Sequence, residues 1–222
     1  MHPLTTPVVL NKSSSGRHLL MITLINFFGF IPCPAQNMDS SLYDNGQIRS
    51  VGFKDTKGKQ GKWYFYYPNG EKNSIENYID GELHGEILSY NILGKISSVE
   101  HWKDGLPEDS AFYYHDNGQL KREGVYKNGL YENEWLVYFD NGQLEMRGSY
   151  RNGLPTGQWE NFNIEGFLIE KGTYKNGLQN GFFQFFDEKG ILQYEGNYSE
   201  GKEVGVWYAF NRKGKKKLYK EY

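Results

Sequence analysis

The 222-residue chain has a single cysteine, Cys33. It can form no internal disulfide and offers no thiol site beyond that position. It also lacks a basic excess. The net charge is −2, and because Lys12 and Arg17 precede residue 36 without any acid, residues 36–222 carry −4. General nucleic-acid binding needs a basic field, so that class is excluded. Apolar residues are only 38% of the chain, low for a globule with a thick core. No G-x-S-x-G, no P-loop and no G-x-G-x-x-G in strand–helix context occurs, which removes the common nucleophile and phosphate-binding chemistries.

Aromatic residues, by contrast, reach 17%, with 18 tyrosines among them. They recur every 24 positions. Tyr78, Trp102, Tyr126, Tyr150, Tyr174, Tyr198 and Tyr222 form one column, and Tyr66, Tyr90, Tyr114, Tyr138, Phe162, Phe186 and Phe210 form another. Two glycine columns keep the same period, Gly70 to Gly214 and Gly81 to Gly201. A fixed period in this range means one supersecondary unit stacked on copies of itself. Units start at residues 61, 85, 109, 133, 157, 181 and 205, and a partial unit begins at Tyr43.

Within a unit, counted from Gly157, a strand-like run precedes a turn at positions 9 and 10. A second run precedes another turn at positions 20 and 21. Asn117-Gly118 and Asn141-Gly142 mark the first turn, and Asn128-Gly129 and Asn152-Gly153 the second. Asn-Gly between aromatic-rich runs is a strong hairpin cue, because both residues tolerate positive φ. The fold expected is all-β: an elongated single-layer antiparallel meander of about fifteen strands. Two-residue turns would pair position 7 with 12, 5 with 14 and 3 with 16 inside a hairpin, and 16 with position 1 of the next unit. Alternation of faces then places positions 3, 5, 7, 12, 14, 16 and 18 on one packed face. There the large residues at position 3 (Trp63, Trp135, Trp159, Trp207) and the glycines at position 16 (Gly124, Gly148, Gly172, Gly196) share a face, so that a ring sits opposite a glycine within a hairpin, as Trp135 does opposite Gly148 and Trp159 opposite Gly172. Ile87 and Ala111 replace the ring, and Glu76 and Glu100 replace the glycine, so the early units are expected to be looser. The column Tyr66 to Phe210, at position 6, falls on the opposite face. It is either core, if a bulge swaps its parity, or an accessible binding stripe.

The pattern G-x-W-x-x-aromatic-x-x-N-G-x-L-x-x-x-G-x-Y-x-N-G-L, seen from Asn133 through Trp135, Tyr138, Gly142, Leu144, Gly148, Tyr150 and Gly153, resembles the MORN repeat in its longer bacterial variant form. The resemblance covers residues 43–222. It implies β-hairpins building an extended sheet, with roles in scaffolding, protein binding and sometimes membrane-lipid contact. Some bacterial variants carry an antitoxin label.

No catalytic residue, cofactor or metal site is expected. His84, His101 and His115 occupy three different repeat positions, and metal sites need convergent ligands. Glu76 and Glu100, stacked in adjacent units, have no pocket or second group to make them acid/base catalysts. Residues 1–35 read as an export signal: basic Lys12 and Arg17, then the 13-residue run Leu19–Ile31, too short to span a bilayer, with cleavage before Gln36. Residues 36–42 would be a short linker, and the mature chain would be secreted or held in the cell envelope. The function expected is a non-enzymatic scaffold binding a protein along its sheet. Alternatives are a carbohydrate-binding module using the spaced rings and a membrane-associated or antitoxin-like scaffold. The lysines from Lys213 to Lys220 read as protection of a terminal edge strand against further pairing.

Overall fold

A computed structural model describes residues 38–222. The leader and its cleavage point lie outside the described residues. The described chain is all strand and turn. In order come β1 (Met38–Leu42), β2 (Ile48–Asp55), β3 (Gly58–Tyr66), β4 (Lys72–Ile79), β5 (Glu82–Leu83), β6 (Gly85–Tyr90), β7 (Ile96–Lys103), β8 (Leu106–Tyr114) and β9 (Leu120–Lys127). Then follow β10 (Leu130–Tyr138), β11 (Leu144–Arg151), β12 (Leu154–Phe162), β13 (Leu168–Lys175), β14 (Leu178–Gln179), β15 (Gly181–Phe186), β16 (Leu192–Ser199), β17 (Lys202–Phe210) and β18 (Lys216–Glu221). They form one antiparallel sheet of 18 strands, in which strands adjacent in sequence pair with each other except β5 with β6 and β14 with β15. The count exceeds fifteen in part because β5 and β6 both pair with β4, and β14 and β15 both pair with β13. Each of these couples is one row, interrupted where Gly85 and Gly181 adopt φ of 89° and 108°. The expected linker at 36–42 instead holds β1, which pairs with β2 from Met38↔Phe53 to Leu42↔Ile48.

The second turn is as expected. Asn128, Asn152 and Asn176 have φ near 50° and the following glycines near 80°, the two left-handed residues of a two-residue hairpin turn.

The first turn differs. Gly142 N donates to Phe139 O and Phe139 N donates to Gln143 O, both at 2.9 Å. This closes a three-residue loop with a left-handed glycine at its end, so position 7 faces 11 and position 6 faces 12. A bulge then absorbs one residue of the second strand. In β12–β13, Phe162 pairs with Leu168 while Asn161 pairs with Glu170. The expected 3–16 and 5–14 pairs are therefore present, and the 7–12 pair is not. Direct cross-strand partners share a face, so the aliphatic residues at position 12 lie with the column at position 6, not on the face of the tryptophans.

A second irregularity separates hairpins. Ser149 pairs with Thr156, but Gly148 pairs with Trp159. Positions 1 and 2 are looped out, with φ of 66° at Gly157 and 58° at Asn133. Position 16 thus meets position 3, rather than position 1, of the next unit. Two looped-out residues preserve parity, so the tryptophans line up with glycines on both sides.

The core follows from that alignment. Trp63, Ile87, Ala111, Trp135, Phe183 and Trp207 are buried, all at position 3. Ile87 is 6% exposed and Ala111 1%, so the units lacking the ring are not looser. Their carboxylates explain why. Each ring at position 3 lies over the glycine of the preceding unit: Trp63 over Gly52, Trp135 over Gly124, Trp159 over Gly148, Phe183 over Gly172 and Trp207 over Gly196. The small residues Ile87 and Ala111 instead follow Glu76 and Glu100, whose side chains stand where the glycine would be bare. Tyrosines at position 18 join the rings edge-on. Centroid distances of 5.0 Å for Tyr126–Trp135, 5.1 Å for Tyr150–Trp159 and 4.9 Å for Phe183–Tyr198 belong to one aromatic ladder from Tyr126 to Trp207. Such edge-to-face pairs are each worth about 0.5–1.5 kcal/mol beyond their buried area.

Candidate interaction surface

The turns are tied to one another by a repeating amide bracket. Asn141 Oδ1 accepts from Gln143 N at 2.9 Å, and its Nδ2 donates to Ile164 O in the next unit at 3.1 Å. Asn117 does the same with Gln119 N and Asp140 O. Where position 9 is not asparagine, position 7 takes over. Asn163 Oδ1 accepts from Phe167 N at 2.9 Å and its Nδ2 donates to Glu188 O at 2.7 Å. Asn91, Asp187 and Asn211 accept from their own turns in the same way. In units that keep Asn at position 9, position 7 is aromatic. Tyr43, Tyr67 and His115 there bond to the carbonyls of Tyr66, Tyr90 and Tyr138. Every unit therefore braces its first turn, and the units from Tyr43 to Asn163 each also bond onward to the next.

The face carrying position 6 is read best along one line of cross-strand partners. It runs Val51, Tyr64, Ile75, Leu88, Val99, Phe112, Glu123, Leu136, Arg147, Glu160, Lys171, Gln184, Glu195 and Tyr208. The first six are apolar or aromatic. The later ones are mostly charged and paired: Lys171–Glu160 at 3.1 Å, Arg147–Glu160 at 3.8 Å and Lys216–Glu195 at 2.8 Å. The tryptophan face shows the reverse order. Its early part buries Ser50, Ser74 and Ser98 and places Glu76 and Glu100 between hydroxyl and indole donors. Ser74 Oγ donates to Glu76 at 2.7 Å, and Trp102 Nε1 donates to Glu100 at 3.1 Å. Its later part is the aromatic ladder. The two faces thus exchange polarity along the sheet.

All seven residues of the expected stripe, Tyr66, Tyr90, Tyr114, Tyr138, Phe162, Phe186 and Phe210, are half-buried. The bulge is present, yet it moves position 12 rather than position 6, so the stripe stays on the second face with aliphatic partners such as Leu120 and Leu168. Tyr138 donates to Glu123 at 2.9 Å. Desolvation, and then that carboxylate, push its pKa up to about 12.

One cation is held unusually. Lys59 Nζ lies 4.8, 4.5 and 4.6 Å from the ring centroids of Trp63, Phe65 and Tyr78 and donates to Tyr78 Oη at 3.2 Å. Desolvation lowers its pKa, opposed by the charge on Glu76. Tyr78 in turn donates to Glu76. The box is closed by its own lysine, so its chemistry is structural. The histidines are dispersed: His101 Nδ1 is 3.1 Å from Ser110 O, and His84 Nδ1 is 3.3 Å from Asp104. Among the described residues no three or more His, Cys, Asp or Glu side chains converge on a possible metal site.

These features define an open antiparallel sheet of repeated hairpins. The MORN repeat variant family matches residues 59–80, 110–128 and 131–152, and the chain carries MORN-variant repeats there. No curated protein matches the chain. Among solved structures it is similar to a porin-like protein from Bacteroides uniformis, with 8% identity, a TM-score of 0.19, and 82% of this chain and 92% of that one covered. The TcdB2–TccC3 crystal structure matches with 13% identity and a TM-score of 0.18 over 78% of this chain, which spans 13% of that chain's length. A Bacteroides fragilis protein of unknown function matches with 9% identity and a TM-score of 0.13, covering 84% of this chain and 91% of that one.

Proposed function

We propose that the chain is a non-enzymatic scaffold that binds a protein partner along the second face of its sheet, chiefly at its early units. The observation that carries this reading is the run Tyr64, Ile75, Leu88, Val99 and Phe112, flanked by Tyr66, Tyr90 and Tyr114. All are half-exposed. The described residues form one sheet, so no second layer of their own covers this strip, and contiguous apolar surface of this kind marks interaction sites. The later stripe residues, Tyr138, Phe162 and Phe186, lie beside the charged stretch and contribute less. The test is a triple alanine variant of Tyr66, Tyr90 and Tyr114, compared with one of Tyr138, Phe162 and Phe186, in capture of partners from cell-envelope extract. Selective loss with the first triple, with sheet dichroism unchanged, supports the reading. Equal capture by both triples and by the parent chain overturns it. Export forms part of the proposal, and mass spectrometry of the envelope fraction should find Gln36 as the amino terminus.

A further inference from the structure

A separate surface follows the edge formed by the second turns. In four successive units a cation at position 19 pairs directly, across the two-residue turn, with a leucine at position 22. The central pairs are Lys127↔Leu130 and Arg151↔Leu154, and the outer ones are Lys103↔Leu106 and Lys175↔Leu178. Position 18 belongs to the tryptophan face, so both members of each pair point to the opposite one. All four leucines remain exposed, between 48% and 50%. The four cations are exposed as well, and among the described residues none takes part in an ion pair, whereas Lys54, Lys57, Arg147, Lys171, Lys216 and Lys220 do. Glu108 and Glu132, on the same strands, are engaged by the turn amides of Asn128 and Asn152 at 2.6 and 2.8 Å. The band ends with the four units. The preceding turn carries Ile79↔Glu82 and the following one Ser199↔Lys202.

We infer that this band docks an acidic amphipathic α-helix of a partner protein, lying across the strands. Charge selects the partner: unpaired cations beside leucines call for carboxylates beside apolar residues. Spacing selects the helix. Successive pairs are two strands apart, about 10 Å, and seven residues of α-helix advance about 10.5 Å and return to the same face. An extended strand advances about 10 Å in three residues and then points to its other face, so it cannot meet successive pairs alike. Nucleic acid would use the cations and leave the leucines wet.

The test uses the full chain and a labelled synthetic 21-residue helix with leucines on one heptad face and glutamates beside them, read by fluorescence anisotropy. We expect saturable binding that weakens as salt is raised, and no binding of a scrambled peptide of equal composition. Lys127→Glu with Arg151→Glu should weaken it at least about tenfold. Leu130→Ser with Leu154→Ser should do the same while sheet dichroism stays unchanged. The triple alanine variant of Tyr66, Tyr90 and Tyr114 should bind the helix normally, which separates this surface from the aromatic strip. Equal binding of the scrambled peptide, or indifference to the charge reversals, would overturn the proposal. So would retention on anionic phosphatidylserine vesicles, lost with the same variants, in the absence of helix binding.

Discussion

Trp135 covers Gly124, the glycine eleven residues before it, and leaves Gly148, its partner thirteen residues after, to Trp159. A side chain at Gly124 would fall inside the indole ring. The same relation links Gly52 with Trp63, Gly172 with Phe183 and Gly196 with Trp207. Glu76 and Ile87, and Glu100 and Ala111, complete the series with both members exchanged. The unit of packing is therefore the junction between two hairpins, not the hairpin itself.

This relation predicts which double substitutions compensate. Gly124→Glu should destabilise the chain by about 2 kcal/mol or more, because it overfills the site under Trp135. Adding Trp135→Ile, which reproduces the Glu76–Ile87 pair, should recover at least about 1 kcal/mol as a coupling energy. The control pairs Gly148→Glu with Trp135→Ile and should show no such recovery. Denaturant titration of the four variants decides it, and equal coupling in both pairs would return the ring to its own hairpin.

That offset was legible in the residues. At a spacing of eleven, large always follows glycine and small always follows glutamate; at thirteen, Trp63 meets Glu76 and Ala111 meets Gly124. The repeat period, the strand order and the second turn were equally open to reading, since Asp/Asn/Glu-Gly with two positive φ values admits few alternatives. The first turn was not. Asn-Gly fits a two-residue turn as well as the last two positions of a three-residue loop, and only the tertiary bracket to the next unit distinguishes them. From that single residue came the bulge and the misplacement of position 12. The exchange of polarity between faces is not legible in the period, because on the second face it lives in positions 4 and 15, which vary between units and so carry no periodic mark.

The amide bracket should be visible in stability. Asn141→Ala and Asn163→Ala each remove an acceptor for a turn amide and a donor to the next unit, and each should cost about 1 kcal/mol. Glu165→Ala, at the repeat position of Asn141 but in a unit bracketed by Asn163, should stay within about 0.5 kcal/mol. Thermal melts of the three variants suffice. A loss at Glu165 equal to that at Asn163 would show that the alternation between positions 7 and 9 has no energetic meaning.

Tyrosine ionisation should unfold the sheet in alkali. Tyr138 is raised to about 12 by desolvation and by its bond to Glu123, and burial raises Tyr113, Tyr150, Tyr174 and Tyr198 in the same direction. A raised folded pKa means that the proton is held more tightly in the folded state. The associated stability is complete below the unfolded value of about 10 and is lost as pH rises through the folded values. Phenolate absorbance should therefore titrate in two groups, the later one together with loss of sheet dichroism. One smooth titration near pH 10 with the sheet intact would contradict the burial of these hydroxyls.

Glu170 supplies the acid-side counterpart. Burial raises its pKa above 4.5, opposed only by a hydrogen bond from Asn161. A carboxyl raised on folding favours the folded state while protonated, and that advantage is lost as pH climbs through its folded pKa. Glu170→Gln should thus raise the denaturation midpoint at pH 8 and leave it unchanged at pH 3.5. A gain of equal size at both values would assign the effect to packing rather than ionisation.

The exchange of polarity makes the same repeat position behave differently at the two ends of the sheet. Leu88 and Gln184 both stand at position 4, on the second face. Leu88 lies between Ile75 and Val99, whereas Gln184 lies between Lys171 and Glu195 and donates to Glu195 at 3.4 Å. Leu88→Gln removes apolar contact from the strip and should cost about 1 to 1.5 kcal/mol, since the side chain is only half-buried. Gln184→Leu gives up one long hydrogen bond among half-buried charges, offset by the apolar area it adds, and should change stability by less than about 0.5 kcal/mol. If the face had one character throughout, the two substitutions would carry opposite signs of similar size, because each would be the reverse of the other in one environment. A cost at Leu88 with indifference at Gln184, measured in one denaturant series, would establish that the early units hold the apolar part of this face. The same result would direct any search for the partner's contact to Tyr64 through Phe112.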